Sequence, residues 1–306
     1  GGARSSARRS GRALPPELVT LGARGDGQSS FWIHGGTGLA ALYNGLARTL
    51  APDFPVYALQ ARGFDGKSVP RGFEEMVSHY IECIRMVQRD GPYVIGGYSS
   101  GGVIAYEVAR RIHVDGGQIK RLIMFDTVPS VPEAFDTFFS AYGGNAGADF
   151  LILMTANELA GSRKRGTPVV SMQDIAGLLD SRKAAHAAQI AARAGRNGLS
   201  ADDMFGFIRG SLELGAVVEE MYMQYRAEPY EGSGVTYFRA REFLARENAL
   251  GMVPREVWGD YDYVAPWRHL TKGEFEIVHA PCDHFNMLEE PVLKMSAAKI
   301  REILTH

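Results

Sequence analysis

The 306-residue chain is long enough for one large α/β domain or two small ones, and its 45% hydrophobic and 22% charged residues are ordinary for a globular protein. A formal net charge of −2 removes any general electrostatic case for nucleic acid or an anionic membrane surface. No apolar run approaches bilayer length, no signal-peptide core is visible, and Cys83 and Cys282 make neither a disulfide framework nor a metal-ligand cluster. The cytosol is the expected compartment, with no metal or other cofactor.

Residues 1–15, GGARSSARRSGRALP, carry almost no large apolar side chain and are expected as a flexible linker ahead of a domain spanning 16–306. Leu18-Val19-Thr20-Leu21 and Phe31-Trp32-Ile33 read as short strands. The second runs into His34-Gly35-Gly36-Thr37-Gly38, after which Leu39, Leu42, Leu46 and Leu50 mark one face of a helix. A dinucleotide-binding turn would need a third glycine where Ala41 stands, and an acidic residue ending the next strand. Neither is evident. His34 is read as a loop-packing residue. Val56-Tyr57-Ala58-Leu59 is the next strand, and Phe73, Met76, Val77, Tyr80, Ile81, Ile84 and Val87 predict a long helix after it.

Tyr93-Val94-Ile95 then predicts a buried strand, and Val103, Ile104 and Val108 a helix. Between them stands Gly97-Tyr98-Ser99-Ser100-Gly101, a Gly-x-Ser-x-Gly in the strand–turn–helix setting of a nucleophile elbow. The alternative is a serine that only caps the helix. Leu122-Ile123-Met124-Phe125 is a further strand, ending at Asp126. Strands alternating with amphipathic helices predict a mostly parallel sheet covered on both faces. From about 131 to 231 helical stretches replace the strands, with Ser171–Asp174 and Ser200–Asp203 as N-terminal caps. The sheet rhythm resumes at Val235-Thr236-Tyr237-Phe238 and Phe275-Glu276-Ile277-Val278, so the helices are expected as an inserted lid.

Serine at its own pKa is a poor nucleophile and needs an imidazole to take its proton. His284, in the loop after the last strand, has the chain order of the base in an α/β-hydrolase, the fold expected here. Asp126 is the favoured acid, with Asp260 second; Asp283 adjoins His284 too closely in sequence to present its side chain well. The oxyanion donors expected are the N–H groups of Gly36, with Thr37 as the neighbouring choice, and of Ser100.

FWIHGGTG (31–38), VYALQARGFDG (56–66), MVSHYIECIRMVQRDGPYVIGGYSSGG (76–102) and HFNML (284–288) together resemble the terminal thioesterase domains of modular polyketide synthases and non-ribosomal peptide synthetases. The resemblance runs from about Pro16 to the C-terminus and is weakest in the lid. It implies a serine hydrolase that takes an acyl chain from the phosphopantetheine thioester of an upstream carrier domain, and it favours Asp126 over Asp260. One departure is Cys282, where a glycine usually precedes the Asp-His pair. Rival readings are a free-standing editing thioesterase and a carboxylesterase or lipase acting on free esters. The acyl chain, hydrolysis against macrocyclisation, and oligomeric state, a homodimer included, are left open by the sequence.

Overall fold

The computed structural model describes residues 13–22, 25–51, 53–64, 69–129, 146–161, 168–195, 198–241 and 262–306. Residues 1–12 of the expected linker, the first expected lid helix (132–142) and Asp260 lie outside them. Among the described residues, seven strands form one sheet: β1 (Leu18–Gly22), β2 (Ser30–Ile33), β3 (Val56–Leu59), β4 (Tyr93–Tyr98), β5 (Ile119–Phe125), β6 (Val235–Ala240) and β7 (Phe275–Ala280). Their order is β1-β3-β2-β4-β5-β6-β7, with β1 antiparallel to β3 and every other pair parallel. This is the mostly parallel sheet that the alternating pattern predicts.

The helices, in chain order, are α1 (Asn44–Leu50), α2 (Phe73–Val87), α3 (Ser100–Val114), α4 (Ala146–Leu159), α5 (Met172–Ile175), α6 (Asp180–Ala194), α7 (Ala201–Gln224), α8 (Ala265–Leu270) and α9 (Val292–Thr305). Side chains alternate across the pleat, so both faces of the sheet need a cover. Phe31, Ile33, Tyr57, Leu59 and Ile95 pack into one core with α2 and α3. Trp32, Val56, Ala58 and Val94 pack into the other with α1 and α9.

β4 runs three residues beyond its apolar stretch. Glycine gives no hydrophobic signal, yet Gly96 and Gly97 are paired with Trp32 and Ile33 on one side and with Ile123 and Met124 on the other. The chain moves outward from β2 to β3 and returns to β4 on the opposite side of β2. The loops after β2 and β4 therefore diverge towards helices on opposite faces. Such a switch point opens a crevice at the carboxyl ends of the strands.

Between β5 and β6 the described residues hold α4 to α7. Capping boxes at Ser171–Asp174 and Ser200–Asp203 open α5 and α7, as the sequence predicts. The stretch from Met172 to Gly195, expected as one helix, is two, because Gly177 turns the chain at φ +77°. Ile152, Leu153, Ala187, Ala191, Met204 and Ile208 form a core belonging to this insertion alone. Further along α7, Leu214, Val217, Val218 and Met221 join the core under the sheet. One long helix thus ties the insertion to the body. Among the described residues no helix is long and apolar enough to cross a membrane.

Candidate active site

The crevice is built from loops at the carboxyl ends of the central strands. Ser99 follows β4 with φ 56° and ψ −127°, a backbone conformation that costs a side-chain-bearing residue on the order of 1–3 kcal/mol. Its flanking glycines let the turn close: a Cβ on Gly97 would collide with the Gly101 carbonyl, and one on Gly101 with the carbonyl of His34. The Ser99 side chain makes no cap bond to α3. It lies instead 3.1 Å from His284 Nε2, so the capping alternative does not hold.

Asp126 follows β5 and is buried, also at positive φ, 44°. His284 Nδ1 lies 2.8 Å from Asp126 Oδ2. The other carboxylate oxygen, Oδ1, accepts the Ala240 N–H at 3.0 Å and the Tyr263 hydroxyl at 2.8 Å. Burial and the charge of Asp126 hold the Tyr263 phenol far above its ordinary range, so it stays a donor. With Oδ1 occupied by these donors, Oδ2 is left to the imidazole. Nδ1–H then donates to the carboxylate, and the Nε2 lone pair faces the Ser99 hydroxyl.

His284 is further held by Tyr98, whose ring stacks on the imidazole at 4.8 Å and 28° and whose hydroxyl donates to the His284 carbonyl at 3.0 Å. Phe285 meets the imidazole edge-on at 5.2 Å. Asp283 does not reach His284's ring; its carboxylate accepts the Asn286 N–H at 3.0 Å and the Asn286 amide at 2.7 Å, closing the turn that carries the histidine.

The loop after β2 is fixed from below by His34. Its Nδ1–H donates to the Gly35 carbonyl at 2.8 Å, while its Nε2 accepts from the Tyr80 hydroxyl at 2.7 Å. Burial drives the imidazole pKa down to about 4, only partly opposed by the bond to Gly35, and His34 is neutral. The Gly35 carbonyl also accepts the Gly38 N–H at 3.0 Å. In a trans peptide the carbonyl and the following N–H point opposite ways. Fixing the Gly35 carbonyl therefore fixes the direction of the Gly36 N–H. Gly36 faces Ser100: a Cβ on it would stand 3.8 Å from the Ser100 hydroxyl oxygen.

A serine, an imidazole and a buried carboxylate in this series are the working parts of acyl transfer. The thioesterase-domain family model matches residues 30–137, which hold the glycine loop, the elbow and Asp126. Over this stretch the chain is similar to thioesterase domains. His284 and the helices from α4 onward lie outside the matched stretch.

Among curated relatives, the domain is 45% identical over 113 residues to polyketide synthase PksR of Bacillus subtilis (strain 168), an alignment covering 37% of this chain and 4% of that protein. It is 36% identical over 117 residues to atromentin synthetase greA of Suillus grevillei, covering 38% and 12%. The chain thus spans a small part of the length of these relatives. In fold it is similar to a four-domain nonribosomal peptide synthetase (TM-score 0.70, 22% identity, 95% of this chain and 20% of that one). It is also similar to the Vlm2 thioesterase domain (TM-score 0.61, 22% identity, 94% and 98%). The NocB thioesterase domain aligns over its whole length (TM-score 0.58, 22% identity, 95% and 100%). The chain accordingly has the α/β-hydrolase fold.

Several contacts of this site were not legible in the sequence. Tyr98 sits inside the elbow motif, where an aromatic side chain is the one visible signal. Tyr263 and Ala240 carry none, because their link to Asp126 exists only after β6 and α8 are placed. Cys282 is buried with its thiol 3.2 Å from the Met287 sulfur, and it is not at positive φ. Nothing in that backbone demands the glycine usual at its position. Asp260, the second choice of acid, lies outside the described residues.

Proposed function

We propose that the domain is a chain-releasing thioesterase, in which Ser99, His284 and Asp126 are the catalytic triad and the substrate is an acyl or peptidyl chain on the phosphopantetheine thioester of a carrier-protein domain. The observation that carries this reading is the unbroken series Ser99 Oγ to His284 Nε2 at 3.1 Å and His284 Nδ1 to Asp126 Oδ2 at 2.8 Å, within a thioesterase-family core. Its three side chains come from one chain, so the reading needs no second copy of it.

Ser99 Oγ attacks the thioester carbonyl carbon as its proton passes to His284 Nε2, and Asp126 holds the imidazolium. The oxyanion is received by the Gly36 and Ser100 N–H groups, the latter at the N-terminus of α3, where backbone donors and the helix dipole favour negative charge. Collapse breaks the C–S bond, and the departing sulfur takes the proton from His284 to leave the carrier thiol. The acyl–Ser99 ester is then cleaved by water, giving an acid, or by a hydroxyl or amine of the chain itself, giving a ring. His284 deprotonates either nucleophile. Helices α4 to α7 act as the lid that governs water access: Phe150 of α4 stands 6.0 Å from Phe285, beside the base.

A long hydroxyacyl cysteamine thioester, with the matching simple ester as competitor and Ser99→Ala as control, tests this. Release of acid or lactone, faster from the thioester and absent in the variant, is the predicted result. A preference for the simple ester would replace this reading with a carboxylesterase.

A further inference from the structure

Three of the five residues in His34-Gly35-Gly36-Thr37-Gly38 are glycines, which bare N–H groups but leave the backbone free to rotate. An oxyanion donor works only if its direction is set before the reaction, so a loop of this composition needs restraint from outside. Below it, the restraint is the buried His34. Above it lies the helical insertion, and its contacts converge on one residue.

Ser211, in the middle of α7 and fully buried, donates its hydroxyl to the Thr37 carbonyl at 2.6 Å. A serine inside a helix usually turns its hydroxyl to solvent or back to its own helix four residues earlier; this one reaches a loop 174 positions away in sequence. The Thr37 hydroxyl donates in turn to Glu158 Oε2 of α4 at 2.9 Å. The carbonyl and the hydroxyl of Thr37 are therefore both taken by the insertion, each by a different helix. The next residue, Gly38 at φ +79°, lies under Leu214 of α7 and the Phe64 ring: a Cβ there would come within 2.8 Å of each. Phe64 also packs on Phe207 of α7 at 5.5 Å.

We infer that Ser211 and Glu158 are positioning residues for the oxyanion loop: His34 and the Gly35 carbonyl aim the Gly36 N–H from below, and the loop as a whole is held in place against Ser100 only while the insertion is seated on Thr37. This rests on the proposed serine chemistry. Neither residue touches the reacting atoms; each acts through the Thr37 backbone, which adjoins Gly36. Seating of the insertion then serves two ends at once: it closes the crevice and it completes the hole.

The test compares Ser211→Ala and Thr37→Val with Ser200→Ala, which removes the cap of the same helix far from the loop. Steady-state kinetics on a cysteamine thioester are normalised to active sites titrated with a fluorophosphonate. The inference predicts that Ser211→Ala and Thr37→Val each lower kcat on the order of tenfold with KM changed less than twofold, whereas Ser200→Ala keeps kcat per titrated site. A rise in KM at unchanged kcat would assign Ser211 to the substrate cavity and overturn it, as would unchanged kcat in both loop variants. If Ser211→Ala does not fold, Thr37→Val carries the same comparison. Loss of all turnover in Ser99→Ala alongside unchanged Ser211→Ala would overturn this inference alone and leave the nucleophile standing.

Discussion

A histidine sealed in the core as a neutral ring couples stability to pH. The His34 imidazole has a pKa of about 4 in the folded chain against an ordinary 6.5. Between those values the unfolded chain binds a proton that the folded chain refuses. This contribution is fully present above pH 6.5 and is lost progressively as the pH falls towards 4, amounting to about 3 kcal/mol. Denaturant unfolding across this range is predicted to show a loss of roughly one proton's slope in His34→Gln relative to wild type. Equal slopes in the two proteins would contradict the burial assigned to His34. The grouping of Ser99, Asp126 and His284 was legible because each ends a strand or opens a loop in a recognisable local pattern. The contacts of Tyr263 and Ser211 were not, since they are made to partners 137 and 174 residues away.

At the scale of elements, the elbow depends on two backbones meeting without a side chain between them. Gly101 opens α3 directly against the carbonyls of Ile33 and His34 at the end of β2. Both carbonyls are held, because His34 is hydrogen-bonded to Leu59 of β3 and to Tyr80 of α2, and the Ile33 carbonyl accepts the Tyr43 hydroxyl. Gly101→Ala is therefore predicted to cost about 3 kcal/mol by overpacking, read as a lowered midpoint in urea unfolding. A variant as stable as wild type would show that β2 and α3 separate easily and that the glycine loop is not braced by the elbow. Helix starts were readable where serine and aspartate stand three apart, at Ser171 and Ser200. The division of α5 from α6 was not, because hydrophobic residues continue on both sides of Gly177, and one positive φ is enough to turn the chain.

At the scale of the molecule, the sheet was legible because its central strands are buried on both faces and so appear as short apolar runs between glycine turns. What period and turn signals cannot give is where an insertion sits once the sheet is closed. α7 contributes to the insertion's own core and, further along, to the core under the sheet, while Ser211 between these halves reaches the loop after β2. Body, insertion and crevice thus form one system around Ser99. The most direct measurement is intact-protein mass spectrometry with peptide mapping after brief exposure to a hydroxyacyl cysteamine thioester. The predicted result is an acyl adduct on the peptide containing Ser99, thiol release in equal amount, and no adduct in Ser99→Ala. An adduct that persists in Ser99→Ala, or maps to another residue, would contradict it.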